Sequence, residues 1–114
     1  MKTSSKQNPE VIRKQFFELG EKYYSYSNYE DFKKAFYWYK ESAELGFAQS
    51  QYILGNMYLS GEGVEQNYIE AIEYYRKAAM QGNNTAQCKL NEMYKKNIVT
   101  VNAGFFLTEN ADEF

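Results

Sequence analysis

Two stretches of this chain repeat one another. Ala35-Phe36-Tyr37-Trp38-Tyr39-Lys40-Glu41-Ser42-Ala43-Glu44-Leu45-Gly46 aligns with Ala71-Ile72-Glu73-Tyr74-Tyr75-Arg76-Lys77-Ala78-Ala79-Met80-Gln81-Gly82 at a spacing of 36 residues. A shorter block returns three times, as Leu19-Gly20-Glu21-Lys22-Tyr23, Leu54-Gly55-Asn56-Met57-Tyr58 and Leu90-Asn91-Glu92-Met93-Tyr94. Small, large and aromatic residues recur at matched positions. A period in the mid-thirties with two helical patterns per period specifies an array of stacked helix pairs rather than one closed core.

Within that period the local signals divide the chain. Residues 1–8 read as a disordered lead-in, with Asn8-Pro9 opening a first helix through a cap and an N1 proline. Ile12, Phe16, Leu19 and Tyr23 carry helical spacing to about Tyr24. Ser25-Tyr26-Ser27-Asn28 interrupts it. Asp31 is expected to cap a second helix, Phe32 to Leu45, closed by Gly46 at C′. A third helix runs from Ala48 to about Leu59 and stops at Ser60-Gly61-Glu62-Gly63, after which Val64 can return to the core. Asn67 caps a fourth, Tyr68 to Gln81, closed by Gly82. Asn83 or Asn84 opens a fifth, to about Lys96. Residues 97–114 leave the pattern: Ile98-Val99-Thr100-Val101 favours extended chain, Asn102-Ala103-Gly104 a turn, and an apolar Phe105-Phe106-Leu107 precedes an acidic end.

The recurring small residues point to close helix packing. Ala35 and Ala43, like Ala71 and Ala79, lie two turns apart on one helix face. Gly20 and Gly55 sit inside helices, where each costs about 1 kcal/mol against Ala. Contact with a neighbouring backbone is the expected return. Leu19, Tyr23, Trp38, Leu54, Tyr58 and Tyr74 would fill the surrounding space. Truncating Trp38 should then cost about 3–5 kcal/mol, and enlarging Ala71 about 1–3 kcal/mol.

The run Ser50-Gln51-Tyr52-Ile53-Leu54-Gly55-Asn56-Met57-Tyr58-Leu59-Ser60-Gly61-Glu62-Gly63-Val64, with Asn67, Ala71, Tyr74-Tyr75-Arg76-Lys77-Ala78-Ala79 and Gly82, resembles a Sel1-like repeat, a relative of the tetratricopeptide repeat. The resemblance covers about Gln15 to Tyr94. It treats 9–46 as a degenerate first unit lacking Gly-x-Gly-Val, 47–82 as a full unit, and 83–96 as a half unit with Asn91 in place of Gly. It implies an all-α fold: a short right-handed α-solenoid of antiparallel helix pairs, about five helices, with a non-repeat C-terminal tail. It also implies that the first helix of each pair lines a concave groove. The groove residues are then Lys14, Phe17, Glu21 and Tyr24, followed by Gln49, Tyr52 and Asn56, followed by Thr85, Cys88 and Glu92. Core packing is the competing reading for Phe17 and Tyr52.

The rest of the composition removes most chemistry. There is no His, and so neither the commonest general base nor the commonest zinc ligand. Cys88 is the sole cysteine, which forbids an internal disulfide and fits a reducing, cytoplasmic setting. It reads as a small, partly buried side chain rather than a reactive thiol. Gly61-Glu62-Gly63 lacks the Lys-Ser/Thr of a phosphate loop and reads as a turn. Thirteen basic and fifteen acidic residues form no basic stripe for nucleic acid, and no apolar run suits a bilayer. No metal, cofactor or catalytic group is expected.

What remains is surface: twelve Tyr, eight Phe and one Trp. The expected function is a non-catalytic protein–protein interaction module that binds a protein or peptide through its concave, aromatic face. An immunity protein or antitoxin that occludes a toxin is the alternative, and an enzyme borrowing a partner's or cofactor's groups is the remote one. Tyr26, Tyr29 and Tyr37 form a second cluster, either an outer binding patch or a cover for the thinner first unit. The tail either caps the array or docks a partner or a second copy, so a homodimer is compatible with the sequence.

Overall fold

The structure, a computed structural model, describes residues 8–96. The expected lead-in over 1–7 and the tail cap over 97–114 lie outside the described residues. Five helices follow in order: α1 Pro9–Tyr24, α2 Tyr29–Glu44, α3 Ala48–Ser60, α4 Tyr68–Met80 and α5 Asn84–Lys95. Each packs chiefly on its neighbours in sequence, which makes an all-α solenoid. Among the described residues there is no strand.

Local chemistry sets most of the boundaries. The side chains of Asn8, Asn67 and Asn83 cap α1, α4 and α5 by accepting from backbone N–H groups one turn ahead. Gly46 and Gly82 stand at C′ with φ of 93° and 95°. After each, an N–H of the following residue reaches back to Ser42 or Ala78, completing a Schellman closure. α2 departs from expectation. It begins at Tyr29, and its cap is Asn28, whose Oδ1 accepts from the Asp31 N–H at 3.0 Å. Asp31 is already inside the helix. The first unit's shorter connection removes the room for a long loop, so the helix starts earlier and reaches 16 residues, against 13 in α4.

Two apolar clusters share this scaffold. Ala35, Tyr39 and Ala43 of α2 pack with Leu54 and Met57 of α3 and Tyr74 of α4. Ala71, Ile72, Tyr75 and Ala78 of α4 pack with Ala86, Leu90 and Met93 of α5. What the helix glycines meet first is a side-chain ring, not the expected neighbouring backbone. A Cβ at Gly20 would lie 2.6 Å from the ring of Tyr39, and one at Gly55 would lie 2.6 Å from the ring of Tyr75. Each pair is therefore locked by a tyrosine ring from its second helix packed directly against a glycine of its first. Tyr39 and Tyr75 are 2% and 0% exposed, and Tyr75 also donates from its hydroxyl to Asn56 Oδ1 at 2.5 Å. Trp38, expected as the central filler, is only half-buried. It stacks at a tilt on Phe16 at 5.2 Å, on the outer side of the α1–α2 pair.

Contact between units depends on small side chains, as expected. Ser42 and Ser50 are both fully buried. Ser50 Oγ donates to Ser42 Oγ at 2.6 Å, and Ser42 Oγ donates to the Arg13 carbonyl at 2.6 Å. One repeat later the same two positions are Ala78 and Ala86, again fully buried. Gln51 adds a bond to the Ala43 carbonyl at 3.2 Å. The loop between α3 and α4 folds back on the first unit: Gly63, with φ of 74°, lies so close to the Phe32 carbonyl that a Cβ would collide with it. Val64 beside it is half-buried.

These contacts set three expectations. Gly55→Ala should destabilise by about 1–3 kcal/mol through overpacking, although helix propensity alone favours Ala by about 1 kcal/mol. Asn91→Ala, at the exposed equivalent position in α5, should change stability by less than about 0.5 kcal/mol; urea midpoints compare the two. Tyr39→Ala should lower stability by about 3–5 kcal/mol and Trp38→Ala by clearly less, which the same assay measures.

The third concerns alkali. Burial pushes the Tyr39, Tyr74 and Tyr75 hydroxyls up from 10.0, Tyr74 to about 12. Above pH 10 the unfolded chain loses phenolic protons that the native state keeps, so stability falls as pH rises from 10 to 12. These groups contribute no slope well below pH 10. Thermal melts across pH 8–11 should show a plateau and then a decline; a flat profile past pH 10 would show that these rings are not buried.

Candidate interaction surface

Helical spacing places Lys14, Phe17, Glu21 and Tyr24 on one face of α1. Gln49, Tyr52 and Asn56 occupy the matching face of α3, and Thr85, Cys88 and Glu92 that of α5. The structure divides them by depth. Lys14, Glu21, Gln49, Thr85, Cys88 and Glu92 are exposed. Phe17, Tyr24, Tyr52 and Asn56 are half-buried, with their inner sides against the core.

The aromatics form a ledge. Phe17 lies 5.9 Å from the Tyr39 ring and 5.1 Å from Phe47, the residue that leads into α3. Tyr24 packs on Phe32 at 4.9 Å. Its hydroxyl donates to Glu62 Oε1 at 2.7 Å, bringing the α3–α4 loop to the end of α1. Burial first, and then that carboxylate, push the Tyr24 hydroxyl up to about 12. Tyr52 lies 5.9 Å from Tyr75. Asn56 is committed to the Tyr75 hydroxyl through its Oδ1. Phe17 and Tyr52 each pack against the core on one side and keep part of the ring exposed.

Polar contacts join the rows. Gln81 donates to Gln51 Oε1 at 2.9 Å and to the Gly46 carbonyl at 3.0 Å. Asn83 reaches Gln49 Oε1 at 3.4 Å. Glu92 lies 3.9 Å from Lys89, an exposed contact of small energetic weight. Phe47 and Glu62 belong to this surface and were not anticipated. Phe47 had a local signal, since an apolar residue commonly follows a C′ glycine. Glu62 had none, because its partner is 38 residues away.

Cys88 corrects an expectation: it is exposed rather than partly buried. The matching Tyr52 is half-buried because the Tyr75 ring of its own pair lies beside it; among the described residues α5 has no second helix of its own. Among the described residues no cluster of His, Cys, Asp or Glu could hold a metal ion, and no helix is long and apolar enough to cross a membrane. The arrangement is an aromatic ledge edged by mixed charges.

In the first unit, Tyr26, Tyr29 and Tyr37 are 52%, 66% and 54% exposed. Tyr37 meets Trp38 edge-on at 4.9 Å, and Tyr26 meets Tyr23 edge-on at 6.1 Å.

Known proteins share this architecture. The chain is 33% identical over 82 residues to the Sel1-like repeat-containing protein R850 of Acanthamoeba polyphaga mimivirus, a match covering 68% of this chain and 16% of that protein. It is 38% identical over 64 residues to DAP3-binding cell death enhancer 1 of Rattus norvegicus, covering 56% of this chain and 13% of that protein. The chain thus spans less than a fifth of either relative's length. The crystal structure of a Sel1 repeat protein from Oxalobacter formigenes superposes with a TM-score of 0.67 at 35% identity, over 71% of this chain and 62% of that one. The family model for the Sel1 repeat matches twice, at residues 17–47 and 48–83, which is more than half of the chain. By its repeats, its fold and its relatives, this chain belongs to the Sel1 repeat family.

Proposed function

We propose that the chain is a non-catalytic interaction module that binds a protein or peptide along the face of α1, α3 and α5. Sel1 repeats are in general protein–protein interaction modules, and one relative is named for binding a protein, DAP3. The observation that carries the reading is the ledge itself. Phe17, Tyr24 and Tyr52 are half-buried rings whose inner sides are held by packing, so they are rigid before a partner arrives. Exposed Lys14, Glu21, Gln49 and Glu92 surround them. Preordered aromatics inside a polar rim are the composition of an interface hot spot, because little rotamer entropy is lost on binding. Asn56 supports the ledge by holding Tyr75.

The rim gives a test that leaves the core alone. In pull-downs from the native host, the triple substitution Lys14→Glu, Gln49→Arg, Glu92→Lys should cut recovery of the partner at least tenfold, equivalent to about 1.4 kcal/mol or more. Helical circular dichroism and melting temperature should stay unchanged, since all three side chains are exposed. Tyr24→Phe should weaken capture less, because it keeps the ring and removes only the bond to Glu62. Undiminished capture by the triple variant would refute this assignment. The identity of the recovered protein decides finer roles, including that of an immunity protein bound to a toxin.

A further inference from the structure

The repeat itself shows what the far face of α1–α2 is built to do. In the second unit the matching face is Gln51, Leu54, Met57, Tyr58 and Tyr74. Leu54, Met57 and Tyr74 are buried against Ala35, Tyr39 and Ala43 of α2. Tyr58 meets Phe36 edge-on at 5.4 Å and stacks on Tyr74 at 5.8 Å. One repeat earlier these positions hold Phe16, Leu19, Lys22, Tyr23 and Trp38. Among the described residues α1 packs substantially on α2 alone; Phe16, Leu19, Tyr23 and Trp38 are half-buried and Lys22 is exposed. A face that is buried in one unit is thus only half-buried in the other, with its aromatics kept and its chemistry changed.

The change is towards positive charge. Lys22 replaces the buried Met57 and lies 5.6 Å from the centre of the Tyr23 ring, while Lys34 lies 5.5 Å from the same centre. Lys33 lies 5.4 Å from that of Tyr29. Two ammonium groups on one ring concentrate charge at an aromatic surface. Among the described residues none of the three lysines takes an ion pair. Asp31, on the same turn of α2, is bonded to Asn28 instead, and Glu18 and Glu30 lie near in sequence without pairing to them.

The chain carries a segment of matching chemistry. Phe105-Phe106-Leu107-Thr108-Glu109-Asn110-Ala111-Asp112-Glu113-Phe114 combines three phenylalanines with three carboxylates and no cation. Reach is adequate. α1, α3 and α5 end at the edge where α2 and α4 begin, so Lys95 shares an edge with Tyr23 and Tyr29. Three helix-to-helix steps separate α5 from α2, about 24–30 Å at 8–10 Å each. The eight residues 97–104 extend to about 26–29 Å.

We propose that residues 105–114 dock on the Phe16–Trp38–Tyr23 face, phenylalanines on the aromatics and carboxylates on Lys22, Lys33 and Lys34. This face is distinct from the one assigned above to a partner, and the two are tested separately.

Trp38 is the chain's sole tryptophan and sits in the docking face, so it reports directly. In the full chain, Phe105→Ser with Phe106→Ser should shift Trp38 emission to the red and raise acrylamide quenching about two-fold, as the half-buried indole opens to water. Lys22→Glu with Lys34→Glu should do the same. Combining it with Glu109→Lys, Asp112→Lys and Glu113→Lys should restore protection, a rescue that loss of folding could not give. Added salt should weaken docking. Protection independent of protein concentration means that the chain's own tail is bound; protection that appears together with a dimer abolished by Phe105→Ser with Phe106→Ser means a second copy's tail. Either upholds the proposal. Unchanged Trp38 emission and quenching in both the tail and the lysine variants would overturn it. So would a dimer whose Trp38 stays protected without the phenylalanines, since helix-face pairing would then be the cover. Lys14→Glu, Gln49→Arg, Glu92→Lys should leave Trp38 unchanged, which separates a failure here from a failure of the partner surface.

Discussion

The fold depends on a tyrosine ring lying where a side chain would otherwise be. At Gly20 and Gly55 the place of the missing Cβ is taken by the ring of Tyr39 or Tyr75, at distances real Cβ atoms essentially never show. That one contact fixes three things in each pair: how close the two helices come, their axial register, and which aromatic faces inward. Dispersion across a ring face is individually weak but sums over many atoms, and a displaced ring forfeits much of it. The helix-propensity cost of the glycine, about 1 kcal/mol, is offset by burying a side chain of about 150–250 Å². Tyr75 extends the lock sideways, because its hydroxyl holds Asn56 on the next row of α3.

Coupling between pairs follows a second rule, which tolerates polarity. The buried Ser42–Ser50 contact and the buried Ala78–Ala86 contact occupy equivalent places. What they share is size rather than chemistry. Two hydroxyls are acceptable because each is satisfied, Ser50 by Ser42 and Ser42 by the Arg13 carbonyl. In a solenoid each unit meets only its neighbours, so stability is close to a sum of unit and interface terms. Differences between units therefore accumulate at faces that no neighbour covers.

Much of this was legible because the signals are local or periodic. Asn8, Asn67, Asn83, Gly46 and Gly82 act as their neighbourhoods imply. Asn28 was missed because alignment to Asn67 placed the cap at Asp31, and a shortened loop moves a helix start without changing the pattern around it. Tyr39 was passed over for its larger neighbour Trp38. Yet Ala35, Tyr39 and Ala43 are four residues apart, on one face, and that spacing already pointed Tyr39 inward. Cys88 failed for a different reason: burial at its position is conferred by a neighbouring second helix, so matching residues need not share an environment. On the candidate surface, the helix faces could be read from spacing. Glu62 under the Tyr24 hydroxyl could not, since loop-to-helix contacts across units have no period.

This separates the residues that build from those that recognise. Down the face proposed to bind a partner, the row of Lys14 becomes Gln49 and then Thr85; that of Phe17 becomes Tyr52 and Cys88; that of Glu21 becomes Asn56 and Glu92. None of these rows keeps its chemistry along the array, whereas Leu19, Leu54 and Leu90 do not change at all. Stacking demands repetition, because each unit must fit the next. Recognition demands its absence, because a partner bound along identical units could slide by one repeat at no cost, and a graded series of side chains fixes its register. The same logic gives meaning to the substitution of Met57 by Lys22 at the first unit's outer face: a position that no longer has to pack is free to carry charge.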